Sequence, residues 1–233
     1  MISVCIASFN GEKYIEEQMR SILCSERVGE VIVSDDGSRD RTREIVAAID
    51  DPRIRLVDGP RAGLIRNFEN ALRQARGDYI FLADQDDVWL PGKVDTMMAA
   101  LAEVDVAVSD CRVVDADLNV LSPSFFRIRH SGPGLVKNLL RNSYLGCCMA
   151  FRRPVLAASL PFPANIPMHD WWIGLVAERT ARVRFIDVPL LHYRRHGGNA
   201  SPTSQRSHAS RRTQIAWRIS LLRALLVRRA RPL

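Results

Sequence analysis

Tyr79-Ile80-Phe81-Leu82-Ala83-Asp84-Gln85-Asp86-Asp87-Val88-Trp89 sets an apolar run directly against three carboxylates within four positions. Tyr79 to Leu82 is rich in β-preferring side chains and follows Gly77-Asp78, which predicts a buried strand with its acids at the C-terminal end. Ligands of open α/β sheets collect at that end. Carboxylates so close repel one another, and a fold that keeps them together commonly supplies a hard divalent cation, Mg²⁺ or Mn²⁺ here. The competing reading is a solvated acidic turn that caps a helix beginning near Pro91.

Outward from this stretch, strands and helices alternate. Ile2 to Ser8 reads as a first buried strand, followed by a Phe9-Asn10-Gly11 turn and a helix from Glu12 to Leu23 with an apolar face at Tyr14-Ile15, Met19 and Ile22-Leu23. Val31 to Ser34 is a second strand, and Ser38 or Asp40 opens a helix through Ile49. A third strand at Ile54 to Val57 precedes a helix from Leu64 to Arg76, and after the acidic stretch come a helix from Pro91 to Ala102 and a strand at Val106 to Ser109. This order predicts βαβ units on a mostly parallel, Rossmann-like mixed sheet flanked by helices.

Such a sheet brings Ala7, Ser8 and Phe9, Asp35 and Asp36, and the Asp84 strand end to one crevice. Ser8 and Phe9 can contact a planar base, and Asp36 can accept hydrogen bonds from a ring N–H or a ribose hydroxyl. Asp35-Asp36-Gly37-Ser38 taken alone reads rather as a turn with a helix cap, and it is the convergence on the edge that carries the acidic stretch that favours a site.

Four blocks in this order resemble the family 2 glycosyltransferases: Ser3-Val4-x-Ile6-x-Ser8-Phe9-Asn10, Val33-Ser34-Asp35-Asp36-Gly37-Ser38-x-Asp40-x-Thr42, Gly63-x3-Asn67 and Ala83-Asp84-Gln85-Asp86-Asp87-x-Trp89. The resemblance spans roughly the first 110 residues and implies a GT-A fold and a nucleoside-diphosphate-sugar donor. It places Asp36 on the nucleobase, Ala7 and Phe9 in the base pocket, Arg66 near the nucleotide, Gln85 in the donor site, and Asp84 and Asp86 at the outer positions of an Asp-x-Asp metal motif, Asp86 in direct contact.

In the second half, Asp115 to Asn119 reads as a turn between strands, Ser122 to Pro133 as a loop, and Tyr144 to Phe151 as a strand. By resemblance Gly146 and Cys147 border the donor sugar and acceptor, as do His169 and Trp171. Pro167-Met168-His169-Asp170-Trp171-Trp172 opens a helix through Glu178, where Asp170 is either a cap or, by resemblance, the catalytic base. An acceptor hydroxyl is a poor nucleophile, so a positioned carboxylate must take its proton. After a strand at Val183 to Val188, His196 resembles a histidine that reaches the metal or diphosphate, with His192 the competing residue and Arg194 a possible phosphate partner.

The 233-residue chain is 47% hydrophobic and 25% charged, an ordinary globular composition. It opens as a strand with no basic leader, and Cys5, Cys24, Cys111, Cys147 and Cys148 sit in apolar contexts without a Cys-x-x-Cys pair, which predicts buried thiols in a reducing cytoplasm. The net charge of +7 belongs to the tail: residues 201–233 carry eight Arg and no acid, while the other 25 Lys and Arg nearly balance the 26 Asp and Glu. A tail helix from about Arg211 to Arg229 has one apolar stripe at Ile215, Ile219, Leu222 and Leu226 and a second at Trp217, Leu221 and Leu225. It can dock on the catalytic domain, pair two subunits as a homodimer, or lie peripherally on anionic membrane.

The expected organisation is a nucleotide-sugar-binding half (1–110), an acceptor-binding and catalytic half of the same domain (111–200), and a basic C-terminal linker and helix (201–233). The expected activity is inverting, metal-dependent transfer of a single sugar to a saccharide or lipid-linked acceptor in surface polysaccharide assembly; the Asp-Gln-Asp-Asp-x-Trp and His-Asp-Trp-Trp combination resembles rhamnosyltransferase-like bacterial members, which implies dTDP-rhamnose as the first donor. Two rivals are a sugar-1-phosphate nucleotidyltransferase, which needs a Gly-rich basic loop that Ser8 to Lys13 does not supply, and a non-catalytic membrane- or nucleic-acid-binding protein. Nucleic acid is not expected, because Trp217 is the tail's only aromatic available for base stacking.

Overall fold

The computed structural model describes residues 1–197 and 210–228. Gly198 and Asn199 and the tail arginines 206, 229 and 231 lie outside the described residues. Strand β1 (Ile2–Ser8) is buried at all seven positions, as a central strand covered on both faces must be. It pairs in parallel with β2 (Val28–Asp35) and with β4 (Tyr79–Asp84), and β2 pairs in parallel with β3 (Ile54–Asp58). The helices between them, α1 (Ile15–Leu23), α2 (Thr42–Ala48) and α3 (Leu64–Gln74), bury apolar stripes such as Ile15, Met19 and Ile22 or Phe68, Ala71 and Leu72.

Beyond β4 come the two-residue β5 (Val88–Trp89), α4 (Lys93–Leu101), β6 (Val106–Val114) and β7 (Val120–Ser122). Later elements include β8 (Met149–Arg152), α7 (Arg153–Ser159), α8 (His169–Thr180) and β9 (Val183–Arg194). The strand order is β3-β2-β1-β4-β8-β6-β9-β5, with β7 paired to β6. β8 runs antiparallel to both β4 and β6, while β6 and β9 are parallel, so the sheet is mixed and mostly parallel as expected. This is the mixed α/β sheet of the GT-A fold.

Several local expectations are corrected. The segment 122–133 is not a plain loop: it holds α5 (Phe125–Arg129), capped by the Ser124 hydroxyl accepting from the Arg127 N–H at 3.1 Å. A second short helix, α6 (Leu135–Leu140), follows, and both are too short to show helical periodicity. Tyr144 to Phe151 is not one strand, because Gly146–Cys148 form a 3₁₀ turn before β8. β9 continues through Pro189, whose missing N–H is absorbed by an irregular register between Ser109 and Asp110. Cys24 is exposed, although the other four thiols are buried, and all five are free.

The tail helix α9 (Arg211–Val227) separates its two apolar stripes. Leu221 and Leu225 are buried and Trp217 packs beside them, whereas Ile215, Ile219, Leu222 and Leu226 are exposed. Arg228 secures the docked side, donating to the carbonyls of Ser159 (2.5 Å) and Leu160 (2.6 Å) and stacking over Trp172. Among the described residues no helix is long and apolar enough to cross a membrane.

Candidate active site

Parallel register sets the floor of the site: Ala7 lies between Ser34 on β2 and Asp84 on β4. Asn67 ties the strand ends together, its amide donating to the carbonyls of Ser8 (3.1 Å) and Ser34 (2.8 Å). Above them opens a cavity of about 440 Å³, within the range of small-molecule sites. Ala7, Phe9, Asp36, Asp84, Gln85, Asp86, Gly146, His169 and Asp170 all line it, which brings most of the expected site residues together.

The two aspartates of the second strand end divide their work. Asp35 is the turn-former: it accepts from the hydroxyls of Ser8 (2.9 Å) and Ser38 (2.6 Å) and from the Ser38 N–H (2.9 Å). Asp36 lines the cavity while accepting from the Gly63 N–H at 2.8 Å. Gly63 holds φ +85°, a left-handed conformation that suits glycine, and this lets the chain turn under Asp36 before α3 begins. Gln85 grips the Phe9 backbone from both sides, accepting its N–H (2.9 Å) and donating to its carbonyl (3.1 Å). Its amide therefore fixes the exposed Phe9 ring at the cavity wall.

The acidic stretch splits into two groups. Asp86 faces His196, whose Nε2 lies 2.8 Å from Oδ2. Asp84 and Asp87 sit with Cys147, their ligand atoms all within 4.8 Å of one another. Burial, and then the charges of Asp86 and Asp170, push the Asp84 carboxyl up to about 8. Burial and the same crowding raise Asp87 well above the carboxylate range. Asp87 accepts the Arg194 N–H at 3.0 Å through Oδ1, but its buried Oδ2 has no hydrogen-bond partner. It does not cap α4, which begins after Gly92 without a side-chain cap. Mutually repelling carboxylates with an orphaned buried oxygen and an adjacent imidazole suit a divalent cation.

Asp170 stands in the first turn of α8 and is buried. Its Oδ2 accepts the Gly146 N–H at 3.1 Å and its Oδ1 the Trp171 N–H at 2.5 Å. Burial raises its pKa to about 6, against which those N–H groups pull down. Next to it, His169 stacks on Phe68 with ring centroids 3.9 Å apart, and neither ring nitrogen has a hydrogen-bond partner. Burial pushes this imidazole down to about 3, so it is neutral at working pH.

Gly146 has little room for a side chain, since a Cβ there would lie 3.0 Å from His169 Nε2 and 3.6 Å from Asp170 Cβ. Gly146→Ala is expected to lower kcat about tenfold to a hundredfold by pressing on the His169 ring and, through that neighbour, shifting Asp170, with the melting temperature little changed. Steady-state kinetics beside thermal melting checks it.

Other expected residues are placed elsewhere. Arg66 does not line the cavity: its guanidinium pairs with Glu69 and donates to the carbonyls of Phe162 (3.0 Å) and Pro163 (3.1 Å), anchoring the segment before α8. Trp171 points its Nε1 at the Asn138 carbonyl (2.7 Å), and Cys147 lies under the acids rather than on the cavity wall. Arg194 is buried as a clamp, bonding the Asp86 carbonyl (2.8 Å) and Glu17 (2.5 Å). The buried Nε2 of His192 has no hydrogen-bond partner, and it is His196 that meets Asp86.

The structure adds Arg61, Leu64, Leu145, Met168 and Tyr193 to the lining. They come from turns, a strand end and, for Leu64, the first position of α3, without local sequence signals. Lys93 is a further residue without a motif: fully buried, it donates to the Cys147 carbonyl at 3.1 Å and brings a positive charge near Asp87.

A Rossmann-like sheet whose strand ends bring Asp36 and an Asp-x-Asp edge to one cavity, with a further carboxylate on its wall, has the form of a GT-A transferase. The model of glycosyl transferase family 2 matches residues 3–160, and the chain belongs to that family. It is a glycosyltransferase. An Escherichia coli relative, a UDP-Glc:alpha-D-GlcNAc-diphosphoundecaprenol beta-1,3-glucosyltransferase, is 25% identical over 179 residues, 75% of this chain and 68% of that protein. Among solved structures, Staphylococcus aureus TarS 1–349 in complex with UDP-GlcNAc superposes with a TM-score of 0.73 at 21% identity, covering 97% of this chain and 66% of that one. Glucosyl-3-phosphoglycerate synthase from Mycobacterium tuberculosis, bound to Mn²⁺, UDP and glucosyl-3-phosphoglycerate, gives 0.61 at 20% identity, covering 98% and 79%.

Proposed function

We propose that this enzyme transfers a single sugar, with inversion, from a pyrimidine nucleoside-diphosphate sugar to a hydroxyl of a saccharide or lipid-linked saccharide in bacterial surface-polysaccharide assembly. The observation that carries this reading is one cavity lined both by Asp84 and Asp86, the cation edge, and by Asp170, the buried base. The lipid-linked acceptor and UDP-sugar named for the E. coli relative support the substrate class. Uracil and thymine both offer a ring N–H to Asp36, so UDP-hexoses and dTDP-rhamnose are the donors to compare.

Asp84 and Asp86, with His196 beside them, would hold Mg²⁺ or Mn²⁺. When bound, the cation offsets charge on the departing diphosphate. Asp36 and the Phe9 wall orient the base, while Asp170 takes the acceptor proton as that oxygen attacks the anomeric carbon. One base and one leaving group make a single in-line displacement, and configuration inverts.

The nucleotidyltransferase rival needs free backbone N–H groups after β1 to cradle a triphosphate. Here those of Phe9, Asn10, Gly11 and Glu12 are each taken by a side chain: Gln85 (2.9 Å), Ser38 (2.9 Å), Thr42 (2.7 Å) and Asp40 (3.0 Å). A melting screen of nucleoside diphosphates and their sugars, with and without Mn²⁺, should single out one pyrimidine nucleotide, stabilising only with the metal. No stabilisation by any nucleotide would sink the proposal.

A further inference from the structure

We propose that α6 and α9 together form a face that lies on an anionic lipid surface. This does not rest on the transfer reaction. α6 and α9 touch, the Arg218 guanidinium of α9 donating to the Leu140 carbonyl at the end of α6. α9 is already docked through Leu221 and Leu225, so its outward stripe of Ile215, Ile219, Leu222 and Leu226 is left facing solvent at 44–69% exposure. α6 adds Val136 and Leu140, exposed at 68% and 58%. Exposed apolar side chains this concentrated mark an interaction surface.

Charge selects the occupant. Residues 118–169, which contain α6, hold no acidic residue, and none follows Asp187. Lys137 and Arg141 are exposed around α6, as are Arg211, Arg212 and Arg223 on α9. At helical spacing Arg212 and Arg223 flank one side of the α9 stripe and Arg211 the other, the pattern of a helix that sinks its apolar side chains between lipid headgroups while its arginines reach the phosphates. A second copy of the chain is a poorer fit. Two such faces would set arginines against arginines with no acid in either segment to neutralise them, whereas anionic headgroups supply that charge.

The test is sedimentation of the full chain with phosphatidylcholine vesicles with or without phosphatidylglycerol. Binding is expected only with phosphatidylglycerol, each basic residue contributing on the order of fivefold, and it should fall as salt rises. Leu222→Asp and Ile219→Asp should each weaken binding about tenfold or more, and Arg212→Glu with Arg223→Glu likewise, at an unchanged melting temperature because these side chains are exposed. The proposal is overturned if the wild-type chain ignores phosphatidylglycerol vesicles, or if Leu222→Asp and Ile219→Asp bind as tightly as wild type. It is equally overturned if light scattering shows a dimer that Leu222→Asp splits while vesicle binding persists, which would make the face a contact between copies.

Discussion

Asp170→Asn should reduce kcat about a thousandfold, the scale of a lost general base, while nucleotide affinity stays near wild type. The acceptor hydroxyl must lose its proton as it attacks, and Asp170 is the buried carboxylate that α8 brings to the same cavity. Both carboxylate oxygens accept a backbone N–H, Oδ2 from Gly146 and Oδ1 from Trp171, so asparagine keeps one of these bonds and sets its NH₂ against the other donor while removing basicity. In the wild type the active form is the carboxylate. With its pKa raised to about 6 by burial, kcat/KM should climb as pH rises through about 6 and then level off. The variant should lack that limb.

The same shift makes an opposite prediction for stability. The folded-state value of about 6 exceeds the unfolded value near 3.8, so ionising Asp170 favours unfolding. The penalty is absent below the unfolded value, grows up to about pH 6 and is fully present above it, reaching about 3 kcal/mol for two pKa units. The melting temperature of Asp170→Asn relative to wild type should therefore be higher at pH 7 than at pH 4, the constant cost of the N–H left without an acceptor cancelling in that comparison. A carboxylate that supports turnover yet costs stability once ionised is kept for function. If the variant transfers sugar at the wild-type rate, the base lies elsewhere.

The half of the fold before residue 110 could be read from the sequence because its central parallel strands β1, β2 and β4 are short, buried apolar runs and helices with their own stripes alternate with the strands. Its site was legible for the same reason: Ala7, Asp36 and Asp84 stand at strand ends, where parallel register gathers them. Arg66 was misleading because a basic residue one turn into α3 can point either way, and here the Glu69 carboxylate and two carbonyls claim it. Lys93 carried no motif, since what defines it is complete burial beside cysteines from a distant segment. α5 and α6 were missed because five and six residues span too little of a helix for a pattern to show. For α9 the two apolar stripes were both visible, but only tertiary packing against α6 and α8 decides which is covered.

Asp86→Asn is expected to abolish stabilisation by Mn²⁺ with nucleoside diphosphate and to cost at least about a thousandfold in kcat/KM. In the wild type, saturating the metal and nucleotide about a hundredfold above Kd should stabilise the fold by about 2.7 kcal/mol, a rise of roughly 5–10 °C in melting temperature. Asp86 is the acid that meets His196, and its charge also helps hold the Asp84 carboxyl at about 8. Removing that charge leaves Asp84 easier to ionise, so the metal-free variant should be at least as stable as the metal-free wild type. Its lost activity then cannot be assigned to unfolding. Two carboxylates that repel each other are kept together at a cost in stability, which a bound cation would offset. Should Mn²⁺ stabilise Asp86→Asn as strongly as wild type, Asp84, Asp87 and Cys147 would be the ligand set instead. Should neither protein respond to any divalent ion, the leaving diphosphate must be balanced by side chains alone.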